Sequence, residues 1–282
     1  EGRRAVAFDE DAVADRVAAL DLQPDRAGEV VARVVAAHVQ RLVVGRDQLV
    51  LALELFADAG ADIGFFSRNP AQVEEAAAAL KDKGVKVIAQ ALDMTNAESY
   101  KAWLTATAEA LGGVDIFVHN ASAGGGFGNE AQWYNCFELD LMGAVRGCET
   151  LEPFLEKSSS PAVVFLGSTA ATETFLAPQA FNAIKASLIT YAKQVGQHWA
   201  AKGIRVNCVS PGPTYFDGGN WSLVETHMKP LFDTILSQQP TGRFGSPQEI
   251  AKAIVFLASP ASSYTNGTNL VVDGGFTKRV QY

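Results

Sequence analysis

From residue 41 onward, short apolar runs alternate with longer stretches of helical character. The apolar runs are continuous, which is typical of strands that are buried on both faces. Alternating strands and helices predict an α/β fold, a doubly wound parallel sheet whose ligands bind at the carboxyl ends of the strands. The predicted strands, about seven in number, are 42–44, 63–66, 85–91, 114–118, 163–166, 204–209 and 270–272. The predicted helices are 48–59, 71–83, 97–111, 132–155, 178–201 and 247–257.

Residues 1–40 differ from the rest of the chain because they are rich in Ala, Val, Asp and Arg. Two helices are predicted here, the first capped by Asp9 or Asp11 and the second beginning at Pro24. The alternative is an N-terminal arm without a well-specified structure. We therefore divide the chain into a helical N-terminal extension, 1–40, and an α/β domain, 41–282. The apolar stripe of the second helix is Val30, Val31, Val34, Val35 and His38.

The charge and cysteine content limit the function classes. The formal net charge is −8 and the pI is about 5.1, which argues against nucleic acid or an anionic membrane as a partner. Three widely spaced cysteines fit reduced thiols packed in the core of a cytoplasmic protein. No apolar run reaches the length of about 18 residues that a membrane span needs. The histidines have no metal-ligand spacing, so no metal site is predicted.

Several motifs in the second half of the chain resemble those of the short-chain dehydrogenase/reductase family. They are GIRVN at 203–207, SPG at 210–212, GRFGSP at 242–247 and VDGG at 272–275. Upstream, Asn120-Ala121-Ser122 follows a predicted strand and is similar to the family's Asn-Asn-Ala-Gly segment. The resemblance covers residues 41–282. It implies a Rossmann-like fold and hydride transfer between a nicotinamide and a carbonyl or alcohol.

The resemblance also identifies four catalytic positions, two of which are altered. Ser168 matches the family's Ser, and Lys185 matches its Lys. Phe181 stands in place of the Tyr that carries the proton, and phenylalanine has no ionisable group. Asp140 stands at the position of the Asn that orders a water for the Lys.

The cofactor loop departs further from the family pattern, which runs Thr-Gly-x-x-x-Gly-x-Gly. Only Gly45 matches, the loop is two residues short, and Asp47 places a negative charge where phosphate is expected, which Arg46 partly offsets. We expect either no cofactor or NADP(H) in an altered mode, since Arg68 follows the second strand and suits a 2′-phosphate. If a dinucleotide binds, the further contacts implied are Asp93, Asn120, Lys185, Pro211 and Gly212.

Aromatic residues cluster between Pro211 and Gly242, the segment that covers the substrate in this family. They line an apolar pocket for a small molecule or form the core of the covering segment itself. Tyr215 is a candidate replacement for the missing proton carrier. The large apolar residues of the segment are Tyr215, Phe216, Trp221, Met228 and Phe232.

Three functions remain open. The preferred one is a degenerate, non-catalytic subunit that forms a homo- or hetero-oligomer with active members of the family. The second is an NADP(H)-dependent oxidoreductase of ketones and alcohols with an altered cofactor grip. The third is a non-redox lyase, isomerase or cyclase that uses Lys185.

Overall fold

A single parallel sheet organises the computed structural model, which describes residues 33–37, 48–125, 128–174 and 176–280. Within these residues seven strands pair in the order β3-β2-β1-β4-β5-β6-β7. All neighbouring strands are parallel, so the predicted Rossmann-like, doubly wound fold is confirmed. The strands are β1 Arg33–Ala37, β2 Asp62–Ser67, β3 Val87–Ala91, β4 Ile116–His119, β5 Ala162–Leu166, β6 Arg205–Pro211 and β7 Asn269–Val272.

Helices cover both faces of the sheet. Helices α1, α2 and α9 pack on one face, and α3, α5 and α6 pack on the other. Neighbouring β1 residues Val34 and Val35 are both fully buried, one in each of the two cores. No helix of the described residues is both long and apolar enough to cross a membrane. The helices are α1 Gln48–Asp58, α2 Pro70–Lys81, α3 Ala97–Leu111, α4 Glu130–Cys136, α5 Gly143–Leu155, α6 Ala180–Trp199, α7 Asn220–His227, α8 Lys229–Ser237 and α9 Pro247–Ala258.

The first strand does not lie where the sequence predicted it. Residues 33–37, assigned above to a helical stripe, form β1 between β2 and β4. The Arg33 guanidinium binds Asp115, which precedes β4, with an Nε–Oδ2 distance of 2.8 Å. The boundary at residue 40 therefore falls after the first strand of the sheet, and the connection to α1 comprises residues 38–47. The predicted strand 42–44, on which the inference of a shortened loop depended, lies outside the described residues. The predicted helix over 9–20 lies outside the described residues.

The predicted helix 132–155 contains a π-helical turn. Residues Phe137–Met142 form this turn between α4 and α5. A π-turn inserts one extra residue and is often found at functional sites. After it, Gly143 and Gly147 let α5 approach the sheet: a Cβ at Gly147 would lie 2.4 Å from Cζ of Phe117. The turn carries Asp140 into the buried side of the helix.

Candidate active site

A cavity of about 600 Å³ opens at the carboxyl ends of β4, β5 and β6. This volume lies in the range of small-molecule sites. Residues at the end of each of these strands line the cavity. They are Asn120 after β4, Ser168 after β5, Pro211 at the end of β6, and Gly212 after it. The position agrees with the rule that ligands of open α/β sheets bind beyond the strand ends.

Ser168 begins a short 3₁₀ turn at the wall of the cavity. Its Oγ accepts a hydrogen bond from the backbone N–H of Ala170 at 3.2 Å. Because the oxygen serves there as an acceptor, the hydroxyl hydrogen can point into the cavity. The neighbouring Thr169 donates to the Pro211 carbonyl at 3.2 Å, which joins the turn to the end of β6.

Lys185 and Asp140 form a buried ion pair beside the cavity. The Lys185 Nζ lies 3.0 Å from Oδ1 of Asp140, and the side chains are 4% and 0% exposed. Nζ also donates to the Leu166 carbonyl at 2.7 Å. The second oxygen of Asp140 accepts from the Ala123 N–H at 2.8 Å. An ammonium has three hydrogens, so Lys185, which lines the cavity, keeps one for a ligand.

Phe181 lies one helical turn before Lys185 on α6 and also lines the cavity. The Lys185 Nζ lies 5.7 Å from the centroid of its ring. The ring therefore fills the place from which the family's Tyr carries the proton, but it holds no titratable atom. Any proton that reaches a substrate must come from another group.

Tyr215 is not among the residues that line the cavity. Its hydroxyl donates to Oε2 of Glu225 at 2.7 Å. This hydrogen bond raises the pKa of Tyr215. The ring packs with Phe232 and Phe244 in a small core under the covering segment. Both interpretations of the aromatic residues therefore hold in part. Tyr215 and Phe232 belong to this core, Phe216 and Met228 line the cavity, and Trp221 does both.

The residues expected to hold a dinucleotide fall into three groups. Asn120, Lys185, Pro211 and Gly212 line the cavity. Arg68 and Asp93 follow β2 and β3; both are exposed and lie outside the cavity lining, and Asp93 accepts from the N–H and hydroxyl of Thr95. Gly45 and Arg46 lie outside the described residues.

The buried thiols and His119 are not among the residues that line the cavity. Cys136, Cys148 and Cys208 are buried, as predicted, and burial raises the pKa of Cys136 to about 11. His119 is fully buried, with Nε2 3.0 Å from the Asp140 carbonyl oxygen.

The sequence analysis missed the C-terminal wall of the cavity. Phe276, Thr277 and Lys278 line it, although they follow the last strand. A local signal was present: Asp273-Gly274-Gly275 makes a tight turn in which both glycines have positive φ, at 62° and 82°. Such a turn sends the chain back over the strand ends.

Residues 52–277 match the family model described as Enoyl-(Acyl carrier protein) reductase. The chain belongs to the short-chain dehydrogenase/reductase family. Isoepoxydon dehydrogenase of Penicillium expansum is 33% identical to this family member over 70% of the chain and 76% of its own length. The 3-oxoacyl-(acyl-carrier-protein) reductase of Vibrio cholerae is 32% identical over 79% of the chain and 89% of its own length.

Solved structures of the short-chain dehydrogenase/reductase family share the fold closely. L-Sorbose reductase from Gluconobacter frateurii, complexed with NADPH and L-sorbose, is 28% identical with a TM-score of 0.79, covering 88% of this chain and 97% of its own. A short chain oxidoreductase from Pseudomonas aeruginosa, described as containing an atypical catalytic center, is 25% identical with a TM-score of 0.78, covering 88% of this chain and 98% of its own.

These comparisons overturn the expectation of a degenerate, non-catalytic subunit. The relatives that share most of the chain are named as dehydrogenases and reductases, and one was solved with NADPH. That expectation rested on two departures from the family pattern, the altered loop that begins at Gly45 and the Phe181 position, and neither outweighs the named activities of these relatives.

Proposed function

We propose that this chain is an NAD(P)(H)-dependent oxidoreductase that interconverts a ketone and a secondary alcohol. The observation that carries the proposal is that Ser168 and Lys185 line one cavity at the strand ends of a short-chain dehydrogenase/reductase fold. Both groups have hydrogens that can reach a ligand oxygen. The named activities of the relatives support the same class of reaction.

The polar groups at the cavity fit the nicotinamide and ribose half of a dinucleotide. Asn120, Lys185 and Thr214 line the cavity and supply amide, ammonium and hydroxyl groups suited to ribose and carboxamide oxygens. When bound there, the nicotinamide supplies or accepts the hydride. Arg68 at the end of β2 favours a 2′-phosphate, so NADP(H) is preferred over NAD(H).

Ser168 and Lys185 then divide the remaining work. Ser168 donates a hydrogen bond to the substrate oxygen and orients it. Lys185 gives one proton from its ammonium to that oxygen, becomes neutral, and regains a proton from solvent. This assignment follows from the place of Phe181, because its ring lies beside the ammonium and cannot carry the proton. The Pseudomonas aeruginosa oxidoreductase with the same fold is described as containing an atypical catalytic center, which supports a proton donor other than the Tyr in this chain.

Calorimetric titration with NADPH and with NADH, followed by NADPH oxidation with a panel of ketones and diketones, tests the proposal. We expect NADPH to bind more tightly than NADH, and turnover to fall by about 10²-fold or more in Lys185→Met, which removes the proton but keeps the stem of the side chain. Lys252→Met, at an exposed position on α9, is the matched control. Absence of binding by either nucleotide would end the proposal. Turnover of a ligand without nicotinamide would instead support the lysine-dependent, non-redox alternative.

A further inference from the structure

The C-terminal strap, residues 273–279, forms one wall of the cavity. Asp273 stabilises its turn by accepting from the N–H groups of Gly275 and Thr277, each at 2.9 Å, and from the Thr277 hydroxyl at 2.7 Å. Phe276 packs into the core under the covering segment. The strap is therefore held at its start and directed over the strand ends.

Glu173 holds the far end of the strap. Its Oε1 accepts from the N–H of Lys278 at 2.7 Å and from the N–H of Arg279 at 2.8 Å. The Arg279 guanidinium adds a bond of 3.3 Å to the Thr172 carbonyl. Hydrogen bonds to an ionised acceptor are roughly twice as strong as neutral ones. We refer to the hydrogen bonds of Glu173 with Lys278 and Arg279 as the Glu173 clasp. Because Glu173 lines the cavity from the β5 side, the clasp joins two walls of the cavity that are distant in sequence.

The charged residues that line the cavity differ in whether their side chains have a partner. Its charged lining residues are Glu173, Lys185 and Lys278. Glu173 is occupied by the strap, and Lys185 is neutralised by Asp140. Lys278 is exposed at the rim, and its ammonium makes no ion pair with any residue in the described part of the chain. Among the lining residues that the structure describes, Lys278 is thus the cation whose ammonium has no ion-pair partner.

We propose that the cavity prefers a ketone that carries an anionic group, and that Lys278, positioned by the Glu173 clasp, recognises that group. The proposal rests on the proposed oxidoreductase function for the ketone, but recognition of the charge does not require turnover. The anion lies at the rim beside Lys278, while the carbonyl lies deeper, beside Ser168 and Lys185. Lys278 is in this account a specificity-determining residue and does not touch the reacting carbonyl.

The test compares levulinate with methyl levulinate, two ketones that differ in one negative charge. Binding is measured by calorimetry at low salt, and kcat/KM is measured by NADPH oxidation. We expect the wild type to prefer levulinate by about threefold to fivefold, the range of an exposed ion pair. The preference should disappear in Lys278→Gln and at about 1 M salt, where the Debye length is only about 3 Å. Lys252→Gln, on an exposed lysine outside the cavity lining, should keep the preference.

The clasp is tested separately with Glu173→Ala. Amide hydrogen exchange of residues 277–279 should become faster in this variant and stay unchanged in Lys278→Gln, while the levulinate preference should decline in both. Equal binding of the two probes by the wild type, or a preference that survives Lys278→Gln, would overturn the proposal. Charge-dependent binding without NADPH oxidation would support the recognition by Lys278 and count against the oxidoreductase function alone.

Discussion

The buried pair Asp140–Lys185 can be measured through the free energy of unfolding. The two charged atoms lie 3.0 Å apart, and the side chains are 0% and 4% exposed. Removing one member of such a pair leaves an uncompensated buried charge, which costs about 3–5 kcal/mol. We therefore expect Lys185→Met to lower the free energy of unfolding by about that amount, since the buried Asp140 carboxylate would lose its countercharge.

The double variant distinguishes a charge effect from a packing effect. Asp140→Asn removes the charge and retains an amide oxygen for the Ala123 N–H. In Asp140→Asn/Lys185→Met no buried charge remains, so its loss of stability should be smaller than the sum of the single variants by about 1–3 kcal/mol. Urea unfolding followed by circular dichroism gives these values, provided that the slope against urea stays constant.

An exposed pair serves as the control for this cycle. Lys229 and Asp233 on α8 lie 2.7 Å apart, with side chains 55% and 56% exposed. Their coupling in Lys229→Met/Asp233→Asn should not exceed about 1 kcal/mol. If the effects at Asp140 and Lys185 add within about 0.5 kcal/mol, the reasoning from a buried, mutually compensating pair is refuted.

Three further predictions concern the site, the core and the surface. Phe181→Tyr adds a proton donor to a ring that lines the cavity, so turnover in NADPH oxidation should rise by about 10²-fold. An unchanged rate would show that proton transfer from Lys185 does not limit turnover. Gly147→Ala places a Cβ 2.4 Å from Cζ of Phe117, and this overpacking should lower the free energy of unfolding by about 1–3 kcal/mol. Thermal unfolding measures the effect, and an unchanged melting temperature would contradict the close approach of α5 to the sheet. The hydrogen bond from Arg243 lowers the pKa of Glu249 from 4.5 to about 2, so the stability contributed by this carboxylate is complete above pH 4.5 and is lost as the pH falls to about 2. Glu249→Gln should remove that part of the acid dependence of the urea midpoint, and an identical dependence in both proteins would refute the assignment.

The sequence predicted six of the seven strands because each coincides with an apolar run, and β2, β4, β5 and β6 are buried along nearly their whole length. Strand β5, for example, is buried at all five positions. The sequence prediction failed at β1, where two pairs of valines, Val30-Val31 and Val34-Val35, recur at helical spacing. What decides between helix and strand there is nonlocal: β1 pairs with β2 on one side and β4 on the other, and Arg33 binds Asp115. Neither contact can be inferred from a local pattern.

The sequence also predicted only part of the candidate site. Ser168 and Lys185 were identified through the family resemblance, and the structure brings both to the cavity. The ion pair of Lys185 with Asp140 was not foreseen, because it depends on the π-turn at Phe137–Met142, and nothing in the helical periodicity indicates that turn. The clasp between Glu173 and the strap is also nonlocal, since it joins residues more than a hundred positions apart. Oligomer formation remains a prediction.

The two altered catalytic positions are linked through Lys185, and this link accounts for both. With a Tyr at 181, the ammonium would serve mainly to assist a phenol, and an uncharged Asn behind it would suffice. With Phe181, the proposed proton donor is the Lys185 ammonium, and it must be charged while buried in order to donate. A carboxylate at position 140 compensates the charge of the ammonium. Burying this carboxylate costs desolvation energy, which its attraction to the ammonium offsets. If this link holds, Asp140→Asn should impair turnover in the Phe181 protein and be tolerated once Phe181→Tyr restores the phenol, because only the first protein relies on Lys185 for the proton.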